Sequence, residues 1–276
     1  MWGKSGFRLQ PMWVWNSEHM ATTQDQARLA VLIDADNARA EHLERLLIEV
    51  AKYGTASVRR AYGDWTTPQL GPWKETLLAH SVQPIQQFGF TKGKNATDSA
   101  LIIDAMDILH AGTVDGFCLV SSDSDFTRLA ARIREQGLKA YGFGERKTPA
   151  PFVAACDTFV YVENLRRDSA PQESERKRDF TTDPELAKWL AEAVDTASRD
   201  DDWAHLGEVG SNLSRLRSDF DTRTWGFSKL KDLMKAHPAY EVKNVATGEG
   251  RPTVVQVRRK PKAKRTQPKA KSKAGQ

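Results

Sequence analysis

The chain has 276 residues, 39% of them hydrophobic and 28% charged. That length holds one large domain or two smaller ones, and no apolar run approaches the ~20 residues of a membrane-spanning helix. The net charge of +5 is uneven: residues 258–276 hold nine of the 41 Lys+Arg and none of the 36 Asp+Glu, so residues 1–257 carry 32 basic against 36 acidic side chains and are not a uniformly basic fold.

Met1 to His19 contain three of the eight tryptophans (Trp2, Trp13, Trp15) but neither an apolar core nor a small-residue cleavage site, so a signal peptide is not expected. Residues 1–27 read as a disordered leader, with Met20 an alternative start. From Arg28, strand and helix patterns alternate. Arg28–Ile33 is a short apolar run of the buried, parallel kind. Ala38–Tyr53 has Leu43, Leu46, Leu47 and Val50 at helical spacing, with Gly54 as its stop. Strands are expected at Ser57–Tyr62, Val82–Phe88, Gly116–Ser121, Lys139–Phe143 and Phe159–Val162. Helices are expected at Gln69–His80, Thr97–His110 and Phe126–Gln136. This alternation implies βαβ crossovers and a parallel sheet with helices on both faces, a three-layer Rossmann-like α/β domain over 28–165.

Residues 166–182 have no hydrophobic period and read as a linker. Asp183 then caps a helix with Pro184 in its first position. Two more helices follow, around Leu206–Leu216 and Leu230–Met234, and then two strands, Tyr240–Lys243 and Thr253–Val257. Three helices and a hairpin over 183–258 form a small winged-helix pattern. The basic tail, 259–276, reads as disordered; it is either a sequence-blind nucleic-acid arm or a solubilising tail. Cys118 and Cys156 sit in apolar stretches without a CxxC, as expected of buried free thiols in a reducing, cytoplasmic protein.

The acids carry the chemistry. Ligand sites of open parallel sheets lie beyond the carboxyl ends of the strands, near the switch in strand order. Asp34 and Asp36 follow the first strand, Asp123 and Asp125 follow the fourth, and Asp98 opens the helix leading into the fourth. If strands one and four are neighbours, three segments deliver carboxylates to one rim. Such a cluster stays ionised when a cation neutralises it, and hard oxygen donors select Mg²⁺ or Mn²⁺. Helix capping is the competing explanation for each, and for Asp36 it serves equally well. Asp104, inside the apolar helix, is expected to support the site or sit in a buried hydrogen-bond network.

Four motifs in this order, Val31-Leu32-Ile33-Asp34-Ala35-Asp36-Asn37, Tyr62-Gly63-Asp64-Trp65, Lys94-Asn95-Ala96-Thr97-Asp98 and Ser121-Ser122-Asp123-Ser124-Asp125-Phe126, resemble the NYN family, a LabA-like branch of the PIN-like nucleases. The resemblance implies a PIN-like, metal-dependent ribonuclease domain. Asp34, Asp98, Asp123 and Asp125 would be its catalytic and metal-binding residues, with Asp36, Asn37 and Asp104 in support. Many relatives have a small residue where Asp36 stands. Residues 183–258 resemble the OST-HTH/LOTUS domain through Leu186 to Val194, Trp203-Ala204-His205-Leu206, Val209-Gly210, Phe220-Asp221 and Trp225-Gly226-Phe227-Ser228-Lys229-Leu230. That family implies RNA binding and, in some members, protein partners.

Around the site, Lys92 and Lys94 are candidates for phosphate contacts, and Trp65 or Tyr62 for stacking on an unpaired base. In the second unit Arg215, Arg217, Arg223, Lys229, Lys231 and Lys235 suggest a basic face. The leading expectation is an Mg²⁺- or Mn²⁺-dependent endoribonuclease with RNA as partner. The alternatives are a non-catalytic RNA-binding scaffold and a phosphatase with Asp34 as nucleophile, as in Asp-x-Asp haloacid dehalogenases.

Overall fold

The computed structural model describes residues 26–88, 96–165, 179–198, 202–246 and 253–260. Its first unit is built on a six-stranded sheet in which every pairing is parallel. In chain order the elements are β1 (Arg28–Asp34), α1 (Leu43–Val50), β2 (Thr55–Gly63), α2 (Trp73–Ala79), β3 (Gln83–Gln86), α3 (Ala96–Ala111), β4 (Gly116–Val120), α4 (Thr127–Glu135), β5 (Lys139–Gly144), α5 (Ala150–Ala155) and β6 (Thr158–Tyr161). The strand order is β3-β2-β1-β4-β5-β6. The chain winds outward from β1 to β3, then returns to lay β4 on the other side of β1. The switch therefore falls between β1 and β4, and their carboxyl ends flank the crevice where such sheets bind ligands.

Strand periodicity builds the three layers. Leu29, Val31 and Ile33 of β1 face one side and pack with Leu43, Leu46 and Val50 of α1 and Trp73 and Leu77 of α2. Ala30 and Leu32 face the other side, with Leu101 and Ala105 of α3, Leu129 and Ile133 of α4 and Phe152 of α5. Because both faces are covered, β4 (GFCLV) is buried along its whole length, which is why it reads as an unbroken apolar run. Both cysteines are free and buried, and burial pushes both thiols up, Cys156 to about 12. Gly142 is a packing glycine: a Cβ there would lie 2.4 Å from the Phe159 ring and 2.7 Å from Cys156 Sγ.

The second unit contains α6 (Pro184–Ala197), β7 (Ala204–His205), α7 (Leu206–Leu216), α8 (Leu230–Ala236), β8 (Tyr240–Val245) and β9 (Val254–Arg259). Asp183 caps α6 through Glu185 and Leu186 amides. The two-residue β7 completes an antiparallel sheet ordered β7-β9-β8; it was not anticipated, because two residues are too short for a readable alternation. Phe180, within the expected linker, packs edge-on against Phe227 at 5.0 Å between ring centroids. Arg258 and Arg259 belong to β9 and pair with Glu241 and Asp195. Residues 1–25 of the expected leader (1–27), residues 166–178 of the expected linker and most of the basic tail (261–276) lie outside the described residues.

The expected helix 38–53 is shorter. A 3-10 turn at Ala40–His42 precedes α1, and the chain leaves the helix after Val50.

The two units are docked. The edge strand β6 donates a backbone hydrogen bond outside its sheet, from Phe159 N–H to the Ser218 carbonyl at 2.8 Å. Ser218 Oγ donates to the Val153 carbonyl, and Tyr161 Oη to Asp219. Asn164, 3% exposed, donates to Asp221 and Thr224. Arg223 clamps Glu49 of α1 through two hydrogen bonds of 2.8 and 2.9 Å. This protects an otherwise open sheet edge. It also corrects the expected basic face: Arg223 is committed to Glu49 and Asp221, and Arg217 pairs with Asp219 and lies over the Trp189 ring.

Candidate metal centre

Three elements meet at the carboxyl ends of β1 and β4. β1 ends on Asp34 and pairs directly with β4, Ile33 opposite Val120. After β4, Ser121 and Ser122 lead into a 3-10 turn capped by Asp123, whose Oδ1 accepts from the Asp125 amide at 2.9 Å. Asp98 lies in the first turn of α3.

Asp98, Asp123 and Asp125 converge: one carboxylate oxygen from each lies within 4.8 Å of the others. Asp98 is only 9% exposed. Burial, and then the charges of Asp34, Asp123, Asp125 and Asp36, push its pKa from 3.8 up to about 6. The cluster thus concentrates negative charge on a poorly hydrated carboxyl. A divalent cation relieves that strain, because ion–oxygen bonds of ~2.0–2.1 Å hold two ligands up to ~4 Å apart, and closing from 4.8 Å takes a shift of less than an ångström. The donor set, all hard oxygens with an exposed member at Asp125, fits Mg²⁺ or Mn²⁺.

Asp34 stands behind this group and is not one of its three converging members. It is fully buried, and both oxygens are engaged: Oδ2 accepts from Asn37 Nδ2 and Ser121 Oγ at 2.7 Å each, and Oδ1 from the Asn37 amide at 3.3 Å. Burial raises its pKa, with the Ser121 and Asn37 hydrogen bonds acting in opposition. Ser121 Oγ also accepts from the Asp123 amide at 3.1 Å. A chain of contacts, Asp34 to Ser121 to Asp123, therefore sets where Asp123 stands. Ser121 was overlooked in the sequence because it reads as the end of a strand; the one available signal was a small hydroxyl beside two acids. The occlusion of Asp34 also argues against the phosphatase alternative, which requires an open carboxylate oxygen for attack.

Asp36 accepts from Thr97 Oγ1 at 2.9 Å and ties the β1 loop to the start of α3. Asp104 lies six residues beyond Asp98, ~9 Å along the helix, and its carboxylate is taken by Arg60 (2.7 Å) and Tyr62 Oη (2.5 Å). It forms the hydrogen-bond network that was one of its two expectations. Tyr62 is fully buried and cannot stack on a base, which corrects that expectation. Trp65 is half-buried, donating Nε1–H to the Ile85 carbonyl and packing against the α1–α2 core. Lys92 and Lys94 lie outside the described residues. Arg215 is exposed in the last turn of α7, Lys229 is exposed before α8, and Lys231 is half-buried within α8.

Comparison with protein-family models agrees with this architecture. Residues 28–163 match the family model of the NYN domain, and residues 183–252 that of the OST-HTH/LOTUS domain. A solved structure of a protein of unknown function from Vibrio parahaemolyticus is similar at 20% identity and a TM-score of 0.44, over 52% of this chain and 97% of that one. An uncharacterized protein from Nitrosomonas europaea is similar at 27% identity and a TM-score of 0.29, over 37% of this chain and 97% of that one. No curated protein matches. Among the described residues no helix is long and apolar enough to cross a membrane.

Proposed function

From a chain that joins a nuclease-like NYN domain to an RNA-binding OST-HTH/LOTUS domain, we propose a metal-dependent endoribonuclease that hydrolyses RNA phosphodiesters. The observation that carries this reading is the convergence of Asp98, Asp123 and Asp125 at the switch point of the parallel sheet. Asp98, Asp123 and Asp125 would hold Mg²⁺ or Mn²⁺. When bound, such an ion activates water and stabilises negative charge on a phosphate. Asp98 contributes a carboxylate whose pKa burial and the neighbouring acids push up to about 6. Asp34 acts through Ser121, holding the Asp123 backbone; Asn37 holds Asp34 in turn. Asp36 and Thr97 pin α3, and so Asp98, to the β1 loop. The OST-HTH/LOTUS domain, docked against β6, supplies a second RNA-binding surface. We place the protein in the cytoplasm and leave protein partners of the OST-HTH/LOTUS domain as a further proposal.

The test is cleavage of single-stranded and structured RNA with Mg²⁺, Mn²⁺ or EDTA, run beside Asp123→Asn. Turnover that needs the metal and is lost in the variant is expected. Turnover retained in EDTA or in Asp123→Asn refutes the mechanism. RNA binding without turnover under either ion would instead establish the non-catalytic scaffold.

A further inference from the structure

Away from the carboxylates, an open groove of about 800 Å³ lies where the two domains meet. Its walls carry Arg134 and Lys139 from the NYN domain and Arg215 and Arg217 from the OST-HTH/LOTUS domain, against two carboxylates, Asp157 and Asp219. The stacked rings of Tyr53 and Tyr141, 4.5 Å apart, also line it. An excess of cations beside aromatic faces is the composition that tracks a single-stranded nucleic acid.

The groove connects to the acid cluster through α4. That helix starts two residues after Asp125 and ends beside Arg134, so its nine residues span ~13 Å. Arg128 and Arg132 are four residues apart and therefore share its outer face; both are exposed. Arg128 and Arg215 have no partner among the described residues. Arg132 pairs with Glu135, and Arg134 and Lys139 pair with Asp157, in largely exposed contacts. Such contacts are worth little and exchange readily for phosphate.

We propose that the RNA strand leaves the acid cluster along α4, over Arg128 and Arg132, and enters the interdomain groove, where Arg134, Lys139 and Arg215 hold its backbone. This rests on the proposed function for its ligand, a single-stranded RNA. It assigns the docked interface itself as part of the binding surface and makes the Arg223–Glu49 clamp the device that holds the groove's two walls together.

The test measures binding of labelled single-stranded RNA oligonucleotides of increasing length to the full chain by fluorescence anisotropy, in EDTA, across a salt series. EDTA separates this proposal from catalysis: a protein that binds as described but never cleaves sinks only the nuclease reading. For single strands each phosphate contact contributes ~0.7 to the slope of log affinity against log salt. The double variant Arg128→Ala/Arg215→Ala is expected to flatten the slope by ~1.4, roughly a twentyfold loss at ~0.1 M salt. Affinity should rise with oligonucleotide length in the wild-type chain and less in the variant. Lys74→Ala, which removes one exposed cation on α2 across the sheet, serves as the control for each single variant and should leave the slope unchanged. A slope unchanged by the double variant overturns the proposal. So does a loss from Arg128→Ala alone with none from Arg215→Ala, which would end the path on α4. Displacement of long RNA by a single nucleoside monophosphate as effectively as by unlabelled RNA would make the groove a small-ligand pocket and overturn it too.

Discussion

Replacing Asp98 with Asn should make the metal-free protein more stable while removing its response to metal. Asp98 is nearly buried among Asp34, Asp123, Asp125 and Asp36, and its pKa rises from 3.8 to about 6. A group whose folded pKa is raised binds its proton more tightly in the native state. Its charge therefore costs nothing below about pH 4, costs progressively more between pH 4 and 6, and costs the full amount above. The shift from 3.8 to about 6 corresponds to about 3 kcal/mol at neutral pH. Asn keeps the shape and removes the charge. At about pH 7.5 without metal the variant should melt higher by up to roughly 6–12 °C, at ~2–4 °C per kcal/mol. At pH 4 the two proteins should melt together. With Mn²⁺ at ~100 times its dissociation constant the wild-type chain should gain ~2.7 kcal/mol, and the variant much less, so the order reverses or closes. Thermal melts at both pH values, with EDTA and with Mn²⁺, decide it. A variant that melts at or below the wild-type chain in EDTA at neutral pH, or that gains as much from Mn²⁺, refutes the argument that Asp98 is a strained metal ligand.

The Arg223→Ala variant leaves Glu49, 5% exposed, with Lys52 as its one charged partner among the described residues. Breaking a buried pair from one side costs about 3 kcal/mol, and calorimetry should show one melting transition becoming two as the domains uncouple; a single unshifted transition would contradict the clamp. In the wild-type chain, burial pushes the Glu49 pKa up, but hydrogen bonds from Arg223 and Lys52 prevail and hold it below 4.5. The docking contribution is therefore complete above pH 4.5 and is lost as pH falls, so the same splitting should appear in acid. Ser121→Ala removes the link between Asp34 and Asp123. Losing a contact that orients a ligand typically weakens metal binding ~10–100-fold, and calorimetric Mn²⁺ titration should show it; an unchanged affinity would show that Asp123 is positioned without Asp34.

Much of this was written locally. The succession of short apolar runs and longer helical segments located β1, β4, α3 and α4 to within a few residues. A strand covered on both faces is a short unbroken apolar run and a core-packed helix a longer stretch, apolar in α3 and amphipathic in α4, and a chain displays both without folding. Asp183 and Pro184 marked the start of α6 for the same reason: a cap is a contact between near neighbours. The carboxylates after β1 and β4 were also visible as a pattern. What the pattern left open was their division of labour. Asp34 and Asp123 look equivalent in sequence, each following a central strand, yet tertiary packing buries Asp34 under Asn37 and Ser121 and turns Asp123 toward Asp98 and Asp125. For Asp104 the sequence left two roles open, support for the site or a hydrogen-bond network, and only the packing of Arg60 and Tyr62, more than forty residues earlier, against its carboxylate decides for the network. The clamp between Glu49 and Arg223 joins residues 174 apart and leaves no mark on either neighbourhood, since both read as ordinary surface charges. Sequence by itself determined the elements, the two domains' patterns and the acids at the strand ends, because short-range sterics and hydrophobic period set those. Strand order, the trio of converging carboxylates and the groove between the domains were decided by the tertiary structure alone, because each depends on which distant surfaces pack together.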